Sequence, residues 1–564
     1  MSHGADNQVL AELDRLAPEI LGTGRVMRLA GRVGELTRLD FTGHPWARLL
    51  MACATRAADP LDQRVVVFLE EALREFRRIR DGHGEAYACF LLGCRALEHG
   101  DVGGAARWWD GAREAAGPAP PGLEIMLAHR CLAAYVDGRL LEAVALSEEA
   151  VALARLRGQV RAEATALVNL AFMRLWTGDF ALATEALDEA EDGFCAIPDP
   201  SDRFEWPLCF SARGVLCALR GQPAAAERAF GTAVDLSRQL KAGWYEGIAR
   251  TLRAEFTAAS QPRRARQDAR WAIDELERRG DRWWSVWAAQ AAGVAALAAD
   301  MPDAAETVLR EVLTRQQWVL ESARTRLLLG ETLIREGRPA EAADELRQAA
   351  EVFSAIGARY WAARCHVRLA ATQEAGDAQV WWRRARDVAV DDPAYQKLFG
   401  GDSLRLTAFG AGEIICDGSP PRIRTHNTER AVFLLALAGP AGMHAEELAD
   451  RLWSDDDADA KRLGGRLRTL LWEMRRVLRT QAWRLERAGP IIRLDTFGIS
   501  FDLALARAEA RTASGAAAAD IAARLRGPLL TRWAYDDWVR DERLANDLLA
   551  DRLDSAQAAG AALR

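Results

Sequence analysis

Apolar residues recur at three- and four-residue spacing through the first 400 positions of the chain, and short turns interrupt them at regular intervals. After a turn, alanine often repeats on one helical face, as at Ala183, Ala186 and Ala190. The turns advance in steps of 36 to 43 residues and fall at Gly100-Asp101, Gly138-Arg139, Gly178-Asp179, Gly221-Gln222, Gln261-Pro262, Met301-Pro302, Gly337-Arg338 and Gly376-Asp377. Such a period predicts an α-solenoid in which each helix pair buries its apolar face against its neighbours.

Adjacent tryptophans occur in this region at Trp108-Trp109, Trp283-Trp284 and Trp381-Trp382. A concave solenoid surface lined by such rings would hold a ligand or a partner segment. Neighbours on a helix point about 100° apart, so one ring of each pair can fill a groove between repeats while the other lies at the rim. We favour packing between repeats over a binding role.

The pattern changes near residue 400 to short alternating runs and then to three amphipathic helices. Alternation and turn residues predict strands at 404–409, 413–416 and 422–425. Apolar spacing predicts helices at about 427–438, 444–453 and 459–479, followed by a hairpin of strands at 483–487 and 491–494. This order predicts a mainly α chain that ends in a small α+β domain.

The third of these helices carries an unusual charge distribution for a protein of net charge −7. Its apolar stripe consists of Leu463, Leu467, Leu470, Leu471, Met474 and Leu478, and its cations are Lys461, Arg462, Arg466, Arg468, Arg475, Arg476 and Arg479, against Glu473 alone. A helix with a buried leucine face and a cationic face suits the major groove of DNA. By helical position we predict base contacts from Arg462, Arg466, Thr469 and Arg476, and phosphate contacts from Arg468 and Arg475.

The hairpin adds Arg484, Arg487 and Arg493, which alternate with Leu485, Ile492 and Leu494. We predict that these arginines reach an adjacent DNA backbone or minor groove.

Two glycines and an acidic run accompany the third helix. Gly464 and Gly465 each cost about 1 kcal/mol relative to alanine, and close approach of DNA or of the second helix would offset that cost. The run 454–459 is favoured as a helix cap over a metal site. His444 is expected to be a capping or surface residue.

The first region resembles tetratricopeptide repeats of the MalT-like type, most closely over 327–330, 337–342 and 353–358. The second resembles the OmpR-type winged helix of the SARP family of bacterial activators. The residues that carry this second resemblance are Leu404-Arg405-Leu406, Phe409-Gly410, Arg430-Ala431, Glu447-Leu448, Leu452-Trp453, Leu467-Arg468, Arg475-Arg476 and Ile492-Arg493-Leu494-Asp495. Part of the bacterial transcriptional activator domain is resembled by two further segments, Arg526-Gly527-Pro528-Leu529-Leu530 and Asp536-Asp537-Trp538-Val539.

The resemblance implies three domains: repeats at 1–398, a winged helix at 399–498 and a partial activator domain at 499–564. It implies that the third helix binds short direct repeats in promoter DNA, that Arg430 contacts phosphate, and that RNA polymerase is a partner. We therefore expect a DNA-binding transcriptional regulator, acting as an activator and as a homodimer, whose repeats sense a ligand or protein. The alternative is a repeat scaffold whose winged helix docks onto protein.

Other functions find little support in the residues. The acidic N-terminus and the absence of a long apolar run predict a cytoplasmic chain without a membrane segment. The nine cysteines are scattered singly, which predicts buried free thiols and no metal site. The chain has no Gly-Lys dipeptide and therefore no Walker-type phosphate loop, and no set of acid, base and nucleophile stands out. We expect neither enzymatic activity nor a cofactor.

Overall fold

The structure is a computed structural model, and it describes residues 2–23, 33–36, 38–58, 62–117, 123–200, 203, 205–315, 318–372, 375–400, 403–453, 460–511, 513 and 516–562. The chain folds into two compact units, Met1–Thr372 and Gln373–Arg564. The second unit therefore includes residues 373–398, which the sequence prediction placed with the repeats.

The first unit is a tetratricopeptide-like α-solenoid, so the predicted fold class is confirmed. From the helix at Val33–Leu36 onward, each described helix packs against the next along the chain. Its described helices are α1 (Ser2–Thr23), α2 (Val33–Leu36), α3 (Pro45–Ala58), α4 (Arg64–Ile79), α5 (Gly82–Glu98), α6 (Val102–Ala116), α7 (Leu123–Val136), α8 (Leu140–Leu156), α9 (Val160–Thr177), α10 (Phe180–Ala196), α11 (Trp206–Leu219), α12 (Pro223–Gln239), α13 (Gly243–Thr257), α14 (Pro262–Arg278), α15 (Arg282–Ala298), α16 (Pro302–Arg315), α17 (Val319–Arg335), α18 (Pro339–Ile356) and α19 (Arg359–Thr372).

Glycine and alanine set the geometry of the repeats. Gly178 and Gly337 end their helices with φ of 83° and 73°, a left-handed conformation that glycine adopts without a steric penalty. Ala183, Ala186 and Ala190 are buried, as predicted, and allow paired helices to approach closely. The turn predicted at Gly376-Asp377 is wrong, because those residues lie in the first turn of a helix of the second unit.

Aromatic side chains join helices that are far apart in the sequence of the first unit. The rings of Trp176 on α9 and Trp361 on α19 lie 4.7 Å apart, and those of Tyr135 and Trp283 lie 5.6 Å apart. Arg359 forms an ion pair with Asp179 across the same gap. The solenoid therefore packs α7 to α10 against α15 and α19, through rings that would otherwise line its inner surface.

The pair Trp108-Trp109 is arranged as predicted, with one ring packed between repeats and the other at the rim, whereas the pair Trp283-Trp284 is not. Trp109 is buried and its indole N–H donates to the carbonyl of Phe90, whereas Trp108 is partly exposed. Trp283 and Trp284 are both buried, so the prediction that one of them lies at the rim is wrong. The reason is that residues from α7 and α9 cover the face that a simple stack of repeats leaves open.

A buried polar cluster lies among these rings and consists of Glu255, Trp287, Gln290, Glu321 and Arg324. Arg324 forms an ion pair with Glu255, and its guanidinium lies 4.1 Å from the centre of the Trp287 ring. The Trp287 indole N–H donates to Glu255 over 2.7 Å. The Gln290 amide donates to the backbone carbonyl of Glu321 over 3.1 Å. The cluster thus links α13, α15 and α17 through buried polar side chains.

Glu321 gives this cluster a dependence on pH. Burial raises the pKa of Glu321 to about 7, from an ordinary value of 4.5. The folded chain therefore binds this proton more tightly than the unfolded chain, and the contribution of Glu321 to the free energy of unfolding falls as pH rises from 4.5 to about 7. The slope is at most about 1.4 kcal/mol per pH unit.

Glu321→Gln is expected to remove that part of the pH profile, because the amide does not titrate. Urea unfolding of both proteins at several pH values measures the free energy of unfolding. The contribution of Glu321 is the wild-type free energy minus that of the variant. That difference should decrease with rising pH over this window. A difference that stays constant or increases would contradict the burial effect.

The second unit begins with two helices, α20 (Ala375–Val388) and α21 (Pro393–Leu398), and continues through short strands and further helices. The following elements are β1 (Leu404–Thr407), β2 (Glu413–Cys416), α22 (His426–Ala438), β3 (Met443–His444), α23 (Ala445–Trp453), α24 (Ala460–Leu478), β4 (Leu485–Ala488), β5 (Ile491–Leu494), β6 (Ser500–Phe501), α25 (Asp502–Glu509), α26 (Ala516–Leu525) and α27 (Asp537–Ala562). Leu404, Leu434, Leu448, Leu470 and Ile492 share one core.

Two three-stranded sheets flank this core, in the strand orders β2-β1-β6 and β3-β5-β4. The strand predicted at 422–425 is wrong, since this segment has no regular structure and follows two prolines, which lack the N–H that a ladder needs. Its place beside β1 is taken by β6, which runs parallel and pairs Phe501 with Leu406. The hairpin of β4 and β5 turns at Gly489, with φ of 62°, as predicted.

The first two helices of the second unit pack against the strands and helices that follow them. The Trp382 ring stacks on the Trp483 ring at 5.4 Å between centres. Arg386 forms a 2.9 Å ion pair with Asp495 at the end of β5. Residues 375–398 thus belong physically with the strands and helices that follow them.

The C-terminal helices also join this unit. The backbone N–H of Gly410 donates to the carbonyl of Pro528 over 2.6 Å, and that of Leu530 donates to Ala408 over 2.8 Å. Trp533 packs on Phe433 with 5.7 Å between ring centres. Residues 528–533 therefore help to complete the core that these strands and helices share.

Candidate nucleic-acid interface

Helix α24 has one face in the core of the second unit. Leu467, Leu470, Leu471, Met474 and Leu478 are buried, and Leu463 packs against the same core from a partly buried position, as predicted. Val477 is buried as well, which widens the stripe beyond the predicted one. The opposite face of the helix points away from this core.

The outward face carries the predicted cations and one predicted hydroxyl. Arg462, Arg468, Thr469, Arg475 and Arg476 are all exposed. Arg466 is only partly exposed, with its guanidinium 5.9 Å from the centre of the Trp453 ring. It lies at the edge of the stripe because Val477 extends the buried face toward it, so Arg468 and Arg475 point outward more directly than predicted.

Few anions neutralise this face. Among the described residues, no carboxylate lies within 4 Å of the guanidinium groups of Arg468, Arg475 or Arg476. Glu473, the anion of the helix, accepts hydrogen bonds from the hydroxyls of Thr425 and Thr428 over 3.1 and 2.9 Å. The charges of Arg468, Arg475 and Arg476 are therefore available to an external anion.

Gly464 and Gly465 open this face near the start of the helix. A Cβ built at either position meets no described atom within 4 Å. Packing of a described part of the second helix against these two positions is therefore excluded as the reason for them. Close approach of DNA stays a prediction.

The hairpin places two of its three predicted arginines in solvent. Arg487 on β4 and Arg493 on β5 are exposed, while Leu485, Ile492 and Leu494 are buried. The Arg487 side chain bonds the Gly489 carbonyl over 3.3 Å. Both arginines remain candidates for contact with a DNA backbone.

Arg484 is not a DNA contact. It is 0% exposed, and its guanidinium donates to Gln481 over 2.9 Å and to the carbonyls of Asp495 and Phe497 over 3.2 and 2.6 Å. The predicted strand began at 483, but Arg479–Arg484 forms a 3-10 helix, so the alternation of the hairpin does not include Arg484. Burial lowers the pKa of its guanidinium to about 10.

Arg430 has a structural partner rather than an open position. Its guanidinium forms an ion pair with Asp536, whose carboxylate also accepts the indole N–H of Trp538 over 3.0 Å. A second Arg430 nitrogen donates to Asn427 over 3.3 Å. Its guanidinium thus clamps α22 to the C-terminal segment, and the phosphate contact implied by the resemblance stays a prediction.

The remaining predictions concern the flanks of α24. The run 454–459 lies outside the described residues. His444 pairs with Ile491 in β3, and its ring nitrogen accepts the Glu446 N–H over 3.4 Å, which fits the expected capping role. Trp472 was not predicted as a site residue, and its side chain is 55% exposed on the outward face of α24.

A cleft of about 660 Å³ lies on the first unit and suits a small ligand by its size. Val286, Val312 and Trp318 contribute apolar surface, and Arg282 and Glu311 contribute charge. Within the described ranges, no group of three His, Cys, Asp or Glu side chains is placed to hold a metal ion. None of the described helices is long and apolar enough to cross a membrane.

The predicted burial of the free thiols holds for most cysteines. Cys89, Cys94, Cys131, Cys209, Cys365 and Cys416 are buried, whereas Cys53 and Cys217 are partly exposed. The prediction is wrong for Cys195, which is exposed near the end of α10.

No family model and no curated protein sequence matches the chain. Among solved structures, the Rap protein complexed with competence and sporulation factor has a TM-score of 0.43 at 13% identity, covering 68% of this chain and 99% of that one. The apo form of the quorum sensor NprR from B. thuringiensis has a TM-score of 0.40 at 13% identity, covering 62% and 99%. A tetratricopeptide repeat protein from Parabacteroides merdae has a TM-score of 0.29 at 15% identity, covering 54% and 99%.

Proposed function

We propose that the chain is a DNA-binding transcriptional regulator whose second unit binds promoter DNA through α24 and the hairpin. The observation that carries this proposal is the outward face of α24, where Arg468, Arg475 and Arg476 lie exposed and without a described carboxylate nearby. Burying such charges against protein would require matching anions, whereas a duplex supplies phosphates and guanine acceptors at helical spacing.

The resemblance to SARP activators supports the rest of the proposal. In this proposal, the regulator is a cytoplasmic, non-enzymatic activator. It binds repeats near a promoter as a homodimer and contacts RNA polymerase. The first unit senses a ligand or protein, and the cleft that contains Trp318 supports a small ligand by its volume. Arg462 and Arg466 remain candidate base contacts, and Arg487 and Arg493 remain candidate backbone contacts.

Selection of bound duplexes from a random library by the full-length protein, followed by titrations at several salt concentrations, tests the proposal. Arg468→Ala and Arg475→Ala are each expected to weaken binding by about 1–3 kcal/mol. A variant that loses a phosphate contact also reduces the slope of log K against log salt by about 0.9. A lost base contact instead relaxes the sequence preference at one position.

Arg540→Ala serves as a matched control, because Arg540 is an exposed arginine of α27 whose partner is Asp537. It should leave affinity and salt slope unchanged. A wild-type protein that selects no duplex, or binding that is unchanged by both Arg468→Ala and Arg475→Ala, would contradict the proposal. That outcome would favour the alternative of a scaffold whose winged helix docks onto protein.

A further inference from the structure

Trp472 is a large aromatic side chain on the face of α24 that points away from the core. Its side chain is 55% exposed, whereas Leu471 beside it is 4% exposed. Helical geometry places Trp472 nearly opposite the buried stripe and in line with Gly465 two turns earlier. Folding leaves this indole in water, so a partner that covers it gains the stabilisation that its burial supplies.

The neighbours of Trp472 on the helix surface are polar or cationic. Arg468 and Thr469 lie one turn before it, Arg475 and Arg476 lie one turn after it, and all four are exposed. The Arg476 guanidinium lies 5.3 Å from the centre of the Trp472 ring, within the range of a cation–π contact. This contact holds the ring against the helix and fixes which part of its surface faces outward.

This combination discriminates between kinds of partner. Protein docking sites are contiguous apolar patches, and the described surface around Trp472 offers cations, a hydroxyl and a glycine instead. A duplex provides phosphates for the surrounding cations. In its major groove the one apolar group on the base edges is the 5-methyl of thymine.

We propose that Trp472 packs against thymine 5-methyl groups in the major groove and thereby sets a preference for thymine at one or two positions of the DNA site. This inference rests on the proposed DNA binding by α24. Gly465 assists it, because a position without a side chain lets the duplex approach the same face of the helix as the indole.

Replacing thymine by deoxyuridine removes the methyl group and leaves every hydrogen-bonding atom in place. With the duplex selected by the wild-type protein, each thymine is replaced in turn and the dissociation constant is measured. Burial of one methyl predicts about a three- to fivefold loss of affinity at the contacted positions. Trp472→Ala should bind the unmodified duplex more weakly and should show no further loss at those positions.

Tyr535→Ala is the control, since Tyr535 is another exposed aromatic residue, 88% exposed and outside α24. It should retain the full deoxyuridine penalty. The proposal is overturned if wild-type binding is insensitive to deoxyuridine at every position, or if Trp472→Ala keeps the same penalty. A wild-type protein that binds no duplex would overturn the proposed function together with this inference, so the two failures are distinguishable.

Discussion

Arg324→Ala is expected to lower the free energy of unfolding of the first unit by about 3–5 kcal/mol. Arg324 is 1% exposed and is held by Glu255, by the Gln290 side-chain carbonyl and by the face of Trp287. Its removal leaves the Glu255 carboxylate buried without its cation, and that uncompensated charge is the main cost. Urea unfolding of the full chain, followed by circular dichroism at helical wavelengths, measures the effect.

Arg335→Ala on the same helix is the matched control. Arg335 is 61% exposed and pairs with Asp300, which is 90% exposed, so its loss should cost no more than about 1 kcal/mol. Combining Arg324→Met with Glu255→Gln removes both charges and should recover much of the loss. Equal effects of the two single arginine substitutions would show that the buried cluster does not stabilise the solenoid.

Arg484→Ala is expected to loosen the hairpin of the second unit while leaving the salt slope of DNA binding unchanged. The substitution leaves two backbone carbonyls and the Gln481 side chain without their donor, at about 1–3 kcal/mol for each acceptor that stays buried. It also removes the guanidinium that lies 4.5 Å from the centre of the Trp483 ring. Hydrogen exchange of peptides covering 485–497 measures the local opening.

Arg487→Ala, three positions further along the chain, is expected to have the opposite effects: the hairpin stays closed and the salt slope of DNA binding changes. Because Arg487 is exposed, its loss should leave hydrogen exchange unchanged and should reduce the salt slope if it contacts phosphate. Unchanged exchange in the Arg484 variant would mean that its buried bonds do not hold the hairpin.

The repeats were predictable from sequence because they depend on local chemistry. A glycine that takes a positive φ and an alanine stripe are properties of single helix pairs, and both are legible in the residues around Gly178 and Gly337. The contacts between Trp176 and Trp361 were not predictable, because they join residues far apart in the chain and depend on how small rotations accumulate along the solenoid.

In the candidate interface, too, features that depend on local pattern were predictable and features that depend on distant contacts were not. The buried stripe of α24 follows from its period, and the exposed cations follow from the opposite face. Arg484 was misplaced because two turns of 3-10 helix shift the alternation that follows them. The pairing of Arg430 with Asp536 was not predictable, because Asp536 lies 106 positions further on and no local pattern reveals the pair.

The joining of α9 to α19 changes how the first unit should melt. Open solenoids interact only between adjacent repeats, so their ends fray and partly unfolded states accumulate. Here Arg359 and Trp361 bind the last helix to Asp179 and Trp176, and neither end of that span can detach without breaking its contacts with the other end. The helices between 160 and 372 should therefore unfold in one cooperative step. A destabilising substitution at either end should lower the stability of the whole span.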